Sequence, residues 1–201
     1  MTQKAFTLLE VLITLAIILI LVGALAGTGQ YLRIRSETQL TATTIEIINA
    51  ALEQYHEQYR AFPFRNRNID SDLSKADPYN LAQFQLDTGM EITVGTLTEK
   101  DGTDQVIWNA SSAALYYYLN RYDVSKSILD TLANRMITNV DAMTSQPVKM
   151  TMGGVTYDVP RFIDAWGMSL QYEYMDQYAF PKIMSAGPDK VFGTTDDLGN
   201  R

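Results

Sequence analysis

The sequence of 201 residues predicts an α+β fold, in which one long N-terminal helix precedes a head with a small antiparallel sheet. Residues 6–29 are almost entirely apolar and contain one charged residue, Glu10, and a helical pattern continues from there to residue 60. Beyond residue 149, short segments alternate between apolar and polar side chains around Gly153 and Gly154, as β-hairpins do. The helices come before most of the strands, and this order is typical of α+β proteins.

Composition excludes several functional classes. The chain has a formal net charge of −7 and a sequence pI of about 4.7, which disfavours binding to a phosphate backbone. It has no Cys, and this excludes disulfides, thiolate metal sites and Cys nucleophiles. His56 is its only histidine, so a nucleophile–base pair is hard to assemble. We therefore expect a protein that is not an enzyme and that binds no nucleic acid.

Three interpretations fit the apolar run, which at ~1.5 Å per residue is long enough to cross a ~30 Å hydrocarbon core. It is a secretory signal cleaved near residues 24–26, a plain membrane anchor, or a helix retained after cleavage between Ala5 and Phe6. The apolar part of a secretory signal usually spans only ~7–15 residues. A plain anchor leaves Glu10 unexplained, whereas the third interpretation gives it a role.

Glu10 is the only charged residue between Lys4 and Arg33. A carboxylate inside a bilayer costs on the order of 2.5–3.5 kcal/mol on insertion scales, so it normally has a partner. Cleavage before Phe6 creates an α-amine at the start of the same helix. On a neighbouring copy of the chain, this amine is a suitable partner for Glu10 at low dielectric. We expect Phe6 and Glu10 to set the register between helices in an assembly.

The stretch KAFTLLEVLITLAIILILVG resembles the N-terminal signal of type IV pilins and type II secretion pseudopilins. That signal has a basic leader, a small residue before the cut, Phe at the new N-terminus and then Glu, which correspond here to Lys4, Ala5, Phe6 and Glu10. The family usually has Gly where Ala5 stands. The resemblance implies cleavage by a prepilin peptidase, methylation, a single pass through the bacterial inner membrane, a periplasmic head and self-association into a filament.

The helical pattern continues beyond the apolar run as an amphipathic stalk. Its apolar stripe has spacings of three and four and consists of Ile45, Ile48, Leu52, Tyr55 and Tyr59. Pro63 ends the pattern, and we expect the stripe to pack against the head. The predicted divisions are a leader at 1–5, a transmembrane and polymerisation helix at 6–29, a stalk at 30–60 and a head at 61–201.

Turn signals and periodicity predict the elements of the head. Residues 61–110 are expected to form loops, with a short helix at 80–86 and a strand at 91–97. Two helices follow, divided near Tyr122, with Ser112 as the expected N-cap of the first and Asp123 or Ser125 as that of the second. The hairpin at Gly153 and further strands in SLQYEYM and FPKIMSA complete the sheet.

Three carboxylates lie close together near the C-terminus, at Asp189, Asp196 and Asp197, separated by Gly and Thr. They repel one another unless water solvates them or a cation shares them, and Ca²⁺ takes about six to eight oxygen ligands. The spacing does not match an EF-hand. Chemistry alone leaves both a solvated acidic turn and a calcium loop open.

The segments FIDAWGMSLQYEY and SAGPDKVFGTTDDLGN resemble the C-terminal part of the major pseudopilin of type II secretion systems. The resemblance implies a calcium loop at residues 184–200 in place of a disulfide. Its ligands would be the side chains of Asp189, Asp196 and Asp197 and the backbone carbonyls of Val191 and Ser185. In the preceding turn, Asp164, Trp166 and Gly167 are expected to serve packing and not chemistry.

The favoured function is that of a structural subunit of a type II secretion pseudopilus, which contacts the inner-membrane secretion components and drives protein export. One alternative is a type IV pilin or a minor pseudopilin of another filament. A second alternative is a secreted calcium-binding domain with an ordinary signal peptide. The mature N-terminus separates these classes, because the filament subunit begins at Phe6 and the secreted domain at Gly27.

Overall fold

The computed structural model describes residues 7–63, 85, 89, 91–95, 97–174 and 178–200 of the chain. The chain divides into two compact units, Met1–Glu37 and Thr38–Arg201. The second unit contains the strands and the short helices. Helix α1, Leu8–Tyr59, begins in the first unit and ends in the second.

Helix α1 follows the sequence pattern closely and ends at a left-handed residue. Arg60 has a φ of 57°, and its N–H donates to the carbonyl of His56 at 2.8 Å, which closes the last turn. Four of the five predicted stripe residues are buried: Ile45, Ile48, Leu52 and Tyr55. The fifth, Tyr59, remains 44% exposed and packs against Tyr55 at the helix end in a tilted arrangement, with ring centroids 4.8 Å apart.

Two short helices, α2 (Ala110–Asn120) and α3 (Asp123–Leu129), are divided at the predicted position. The predicted N-caps are wrong, because Asn109 and Tyr122 occupy those positions. Ser112 lies inside α2, where its buried hydroxyl donates to the carbonyl of Phe162 at 2.7 Å. Ser125 likewise donates to the carbonyl of Leu119 at 2.6 Å and so joins the two helices. Because both serine hydroxyls donate to backbone carbonyls in this way, neither serves as an N-cap.

The described strands are short, and all their pairings are antiparallel. They form two three-stranded sheets, in the orders β1–β5–β6 and β10–β9–β8, and two pairs, β2–β3 and β4–β7. Their bounds are β1 Glu91–Val94, β2 Thr98–Lys100, β3 Val106–Trp108, β4 Ile137–Thr138, β5 Lys149–Met152, β6 Val155–Asp158, β7 Arg161–Phe162, β8 Gln171–Glu173, β9 Lys182–Ser185 and β10 Leu198–Gly199. A 3₁₀ turn, Asn134–Met136, precedes β4.

The structure confirms the α+β class, the long N-terminal helix and the antiparallel pairing. It differs from the expectation of one small sheet, because turns divide the strands into several small ones. β1 is also shorter than the strand predicted at 91–97, since Gly95 adopts a φ of +77° and ends it. The helix predicted at 80–86 lies outside the described residues except for residue 85.

The hairpin between β5 and β6 was predictable from its turn. Gly153 and Gly154 have φ values of +57° and +81°, the combination that a two-residue type I′ turn requires. The register pairs Met150 with Tyr157 and Met152 with Val155. Strand β6 forms the edge of its sheet, and its four residues are exposed.

The C-terminal strand is fastened to both α1 and β9 through Asn200. The side-chain amide of Asn200 donates to Asn49 Oδ1 and to the carbonyl of Pro181, each at 2.9 Å. Its Oδ1 accepts a hydrogen bond from the N–H of Ile183 at 3.0 Å. This residue therefore fixes the end of the segment 186–200, which contains the predicted calcium loop.

A buried polar network links β2 to β7 and to the segment before β8. The hydroxyl and backbone N–H of Ser169 donate to the carboxylate of Glu99 at 3.0 and 2.9 Å. Nε of Arg161 donates to the Ser169 hydroxyl at 2.8 Å. Burial raises the pKa of Glu99 despite the nearby positive charge of Arg161, and burial also lowers the pKa of Arg161.

Candidate functional site

Glu10 and Thr7 cap the start of α1 reciprocally. The backbone N–H and the hydroxyl of Thr7 both donate to Oε2 of Glu10 at 3.2 Å. In return, the Glu10 N–H donates to Thr7 Oγ1 at 3.3 Å. This is a capping box of the T-x-x-E type, and the negative charge also suits the positive end of the helix dipole. The pattern is visible as TLLE, and sequence reasoning missed it.

The cap engages only part of the Glu10 carboxylate. Within the described residues, no hydrogen bond reaches its Oε1. A carboxylate has about four acceptor sites, so this group retains capacity for a second partner. The two predicted processing residues, Ala5 and Phe6, lie outside the described residues, and their roles stay predictions.

Large apolar side chains cover the first unit from Leu8 to Val22. Each of them is more than half exposed, from Leu8 at 80% to Ile13 at 51%. Such a continuous apolar surface on a helix is characteristic of a segment that other molecules cover. No helix within the described part of the chain combines the length and apolar character that a membrane crossing needs.

The C-terminal loop is organised by hydrogen bonds to its three predicted carboxylates. Oδ1 of Asp189 accepts from the N–H of Val191 at 2.8 Å, and Oδ2 of Asp197 accepts from the N–H of Gly193 at 2.7 Å. Oδ2 of Asp196 accepts from the N–H of Asp189 at 3.2 Å. Each of the three carboxylates therefore accepts a hydrogen bond from a backbone N–H group of the same loop.

Thr194 joins two of these carboxylates. Its hydroxyl lies 2.6 Å from Oδ1 of Asp196 and 3.4 Å from Oδ1 of Asp197. The hydrogen bond from Thr194 lowers the pKa of Asp196 below its usual value. Asp196 is accordingly ionised at neutral pH and can serve as an acceptor.

Two glycines make close backbone contacts with the C-terminal loop, one from within the loop and one from the turn after β2. Gly187 has a φ of +67°, and a Cβ there would overlap the carbonyl of Asp196. A Cβ on Gly102 would overlap the carbonyl of Asp189, and the N–H of Gly102 donates to the carbonyl of Lys190 at 3.0 Å. The turn after β2 therefore supports the loop from outside.

Ser185 connects the loop to the turn that contains Asp164. Oδ1 of this buried carboxylate accepts from the N–H groups of Trp166 and Met168 at 3.0 and 2.9 Å. Its Oδ2 accepts from the Ser185 hydroxyl at 2.6 Å. Burial raises the pKa of Asp164 above its usual value, although these hydrogen bonds oppose the shift. Asp164 thus organises the turn by hydrogen bonds, where the sequence suggested packing.

The donor set of the loop is chemically compatible with a hard cation. Carboxylate oxygens dominate it, and the hydrogen-bonded oxygens leave acceptor sites unused. Among the described residues, no three His, Asp or Glu side chains lie close enough together to hold a metal ion. Of the two predicted carbonyl ligands, that of Val191 lies 3.1 Å from the hydroxyl oxygen of Thr194, and Ser185 lies in β9. The calcium loop stays a prediction.

Comparison with known families supports the N-terminal part of the interpretation. Residues 1–26 match the prokaryotic N-terminal methylation motif, which is a type IV prepilin-like signal. The match covers 26 of the 201 residues and supports a prepilin-like signal at the N-terminus. No curated protein and no solved structure is significantly similar to the chain.

Proposed function

We propose that the chain is a structural subunit of a type II secretion pseudopilus. A prepilin peptidase cleaves it between Ala5 and Phe6, and the new N-terminus is methylated. The N-terminal helix is anchored in the inner membrane before assembly, with the head in the periplasm. The subunits then associate through their N-terminal helices into a short filament that acts with the inner-membrane secretion components in protein export.

One observation carries this proposal: a single capped carboxylate stands at the start of a helix whose next turns are apolar and exposed. The motif at residues 1–26 supports processing of this segment. After processing, the amine of Phe6 on one copy pairs with the unoccupied oxygen of Glu10 on the next. The apolar side chains from Leu8 to Val22 supply the contact area between neighbouring helices.

The structure allows the two roles of Glu10 to be separated experimentally. Glu10→Gln keeps the capping box, because Gln also serves at this position, but it removes the charge. Thr7→Ala removes the hydroxyl part of the cap and keeps the charge. Each variant is produced with the prepilin peptidase and the assembly components, and cleavage and filament yield are measured. We expect normal cleavage in both and a filament yield at least tenfold lower only in Glu10→Gln.

A normal filament yield from Glu10→Gln would contradict the charge pairing. A loss of filament yield in Thr7→Ala but not in Glu10→Gln would assign the effect to capping and not to charge. Replacement of the secretion components by those of a type IV pilus tests the finer assignment. If the chain assembled with the type IV pilus components but not with the secretion components, it would be a subunit of that other filament.

We also propose that Ca²⁺ stabilises the C-terminal loop. The ion would draw together the side chains of Asp189, Asp196 and Asp197, which do not form a cluster of three in the described structure, with the carbonyls of Val191 and Ser185 as further oxygen ligands. It would supply electrostatic cross-linking of the loop in a chain that has no Cys. The ionised state of Asp196 and the unused acceptor sites of the three carboxylates support this proposal.

A further inference from the structure

Strand β6 presents an open edge in the second unit. It pairs with β5 on one side, and within the described residues no strand pairs with its other side. Its side chains are exposed, and they include the large apolar groups of Val155 and Tyr157. An exposed strand edge is a template for main-chain pairing with another extended chain.

A cavity of about 390 Å³ lies where the end of β6 meets α2. Its walls include the side chains of Tyr116, Tyr117, Met150 and Tyr157. Its size is within the ~300–1,000 Å³ range of ligand pockets, and apolar walls of this kind suit an aromatic or aliphatic group.

Neighbouring groups hold the aromatic walls of the cavity in place. The ring of Tyr116 packs on Phe162 with centroids 5.2 Å apart. The hydroxyl of Tyr117 accepts a hydrogen bond from Nη1 of Arg121 at 2.8 Å. A cavity that is already formed requires little ordering when a ligand enters, and this favours affinity.

Arg121 places a positive charge at the rim of this cavity. Its side chain is exposed, and no carboxylate within the described part of the chain forms an ion pair with it. The acidic residue that lines the cavity, Asp158, is paired with Lys149 at 3.5 Å. Of the two charged residues in the lining, Arg121 is therefore the one without a counter-ion among the described residues, although the whole chain carries a net charge of −7.

We propose that the β6 edge and this cavity form a docking surface for an extended segment of a partner protein with an aromatic side chain beside a carboxylate. The backbone of the segment pairs with β6, which is an interaction that only a polypeptide makes in this way. Its aromatic side chain fills the cavity between Tyr116 and Tyr157, and its carboxylate binds the guanidinium of Arg121. All residues of this surface belong to the second unit, whereas the proposed filament contacts from Leu8 to Val22 belong to the first.

The test uses the processed full-length chain in detergent micelles as bait for a random peptide display library. We expect enrichment of peptides that combine an aromatic residue with a nearby Asp or Glu. Synthetic copies of these peptides should bind Arg121→Glu and Arg121→Gln at least tenfold more weakly than the wild type. Arg135→Glu is the matched control, because Arg135 is exposed and does not line the cavity, and it should bind normally.

Strand pairing is tested separately on the peptide, so that the fold of the protein is unaffected. N-methylation of alternate backbone amides removes the donors that pair with β6 and should weaken binding at least tenfold. The proposal is overturned if no peptide is enriched or if the Arg121 variants bind as well as Arg135→Glu. It is also overturned if the N-methylated peptides bind like the parent peptides, because binding then needs no strand.

Discussion

The hydroxyl of Ser185 donates a hydrogen bond of 2.6 Å to Oδ2 of Asp164, and both groups are buried. Oγ of Ser185 also accepts from the N–H of Gly187 at 3.1 Å. One side chain at the end of β9 therefore connects the C-terminal loop to the turn after β7. The acidic loop is built on this buried connection, and its stability should depend on it.

Ser185→Ala should destabilise the second unit by about 1.5–3 kcal/mol, the usual contribution of a hydrogen bond to a charged group. The substitution leaves Oδ2 of Asp164 buried without its donor. The free energy of unfolding is measured by urea denaturation, followed by tryptophan fluorescence. Ser127→Ala is the control, because the Ser127 hydroxyl bonds only within its own exposed helical turn. Equal stability of the two variants would show that the buried hydrogen bond contributes little.

Calcium should raise the melting temperature of the second unit. At a free concentration of 100 times Kd, binding to the folded state adds about 2.7 kcal/mol, or about 5–10 °C for a unit of this size. The melting temperature is measured with calcium and with a chelator. The Asp197→Asn variant should show little difference between the two conditions. Asp130→Asn is the control, because Asp130 is an exposed acid at the end of α3, and it should keep the full difference. If chelation left the melting temperature unchanged, the three carboxylates would form a solvated acidic turn and not a calcium site.

The buried carboxylate of Glu99 should make stability fall as pH rises. Its pKa is raised in the folded chain, so the folded state binds its proton more tightly than the unfolded state does. The resulting stabilisation is fully present below the unfolded pKa of about 4.3 and is lost as pH rises through the folded pKa. The measurement is the difference in unfolding free energy between the wild type and Glu99→Gln across this pH range.

That difference should decrease with increasing pH, on top of a constant cost for breaking the contacts with Ser169 and Arg161. A difference that stays flat, or that grows with pH, would contradict the direction of the pKa shift. Ser127→Ala, measured alongside, should differ from the wild type by the same amount at every pH.

Much of the fold was predictable because its signals are local. The stripe from Ile45 to Tyr55 has helical spacing, and the hairpin depends on two adjacent glycines with positive φ. The N-caps were mispredicted because Ser112 is used in a hydrogen bond to Phe162, 50 positions away. A local pattern carries no information about such a partner.

The same reasoning explains what was missed around the candidate sites. Ser169 and Glu99 are 70 positions apart, and nothing in the sequence near either residue indicates that they meet. The sequence marked the three loop aspartates, whereas their internal donors, such as Gly193 and Thr194, became visible only in the folded loop. The capping box of Thr7 and Glu10 was also missed, but its signature TLLE is contiguous and could have been found in the sequence.

The identity of the mature N-terminus tests the central claim most directly. The full chain is produced together with a prepilin peptidase, and its N-terminal peptide is sequenced by mass spectrometry. We predict a chain that begins at Phe6, carries a methylated amine and retains Glu10. A chain that begins at Gly27, or one from which the apolar segment has been removed, would contradict the account, because both Glu10 and the amine of Phe6 would then be absent from the mature protein.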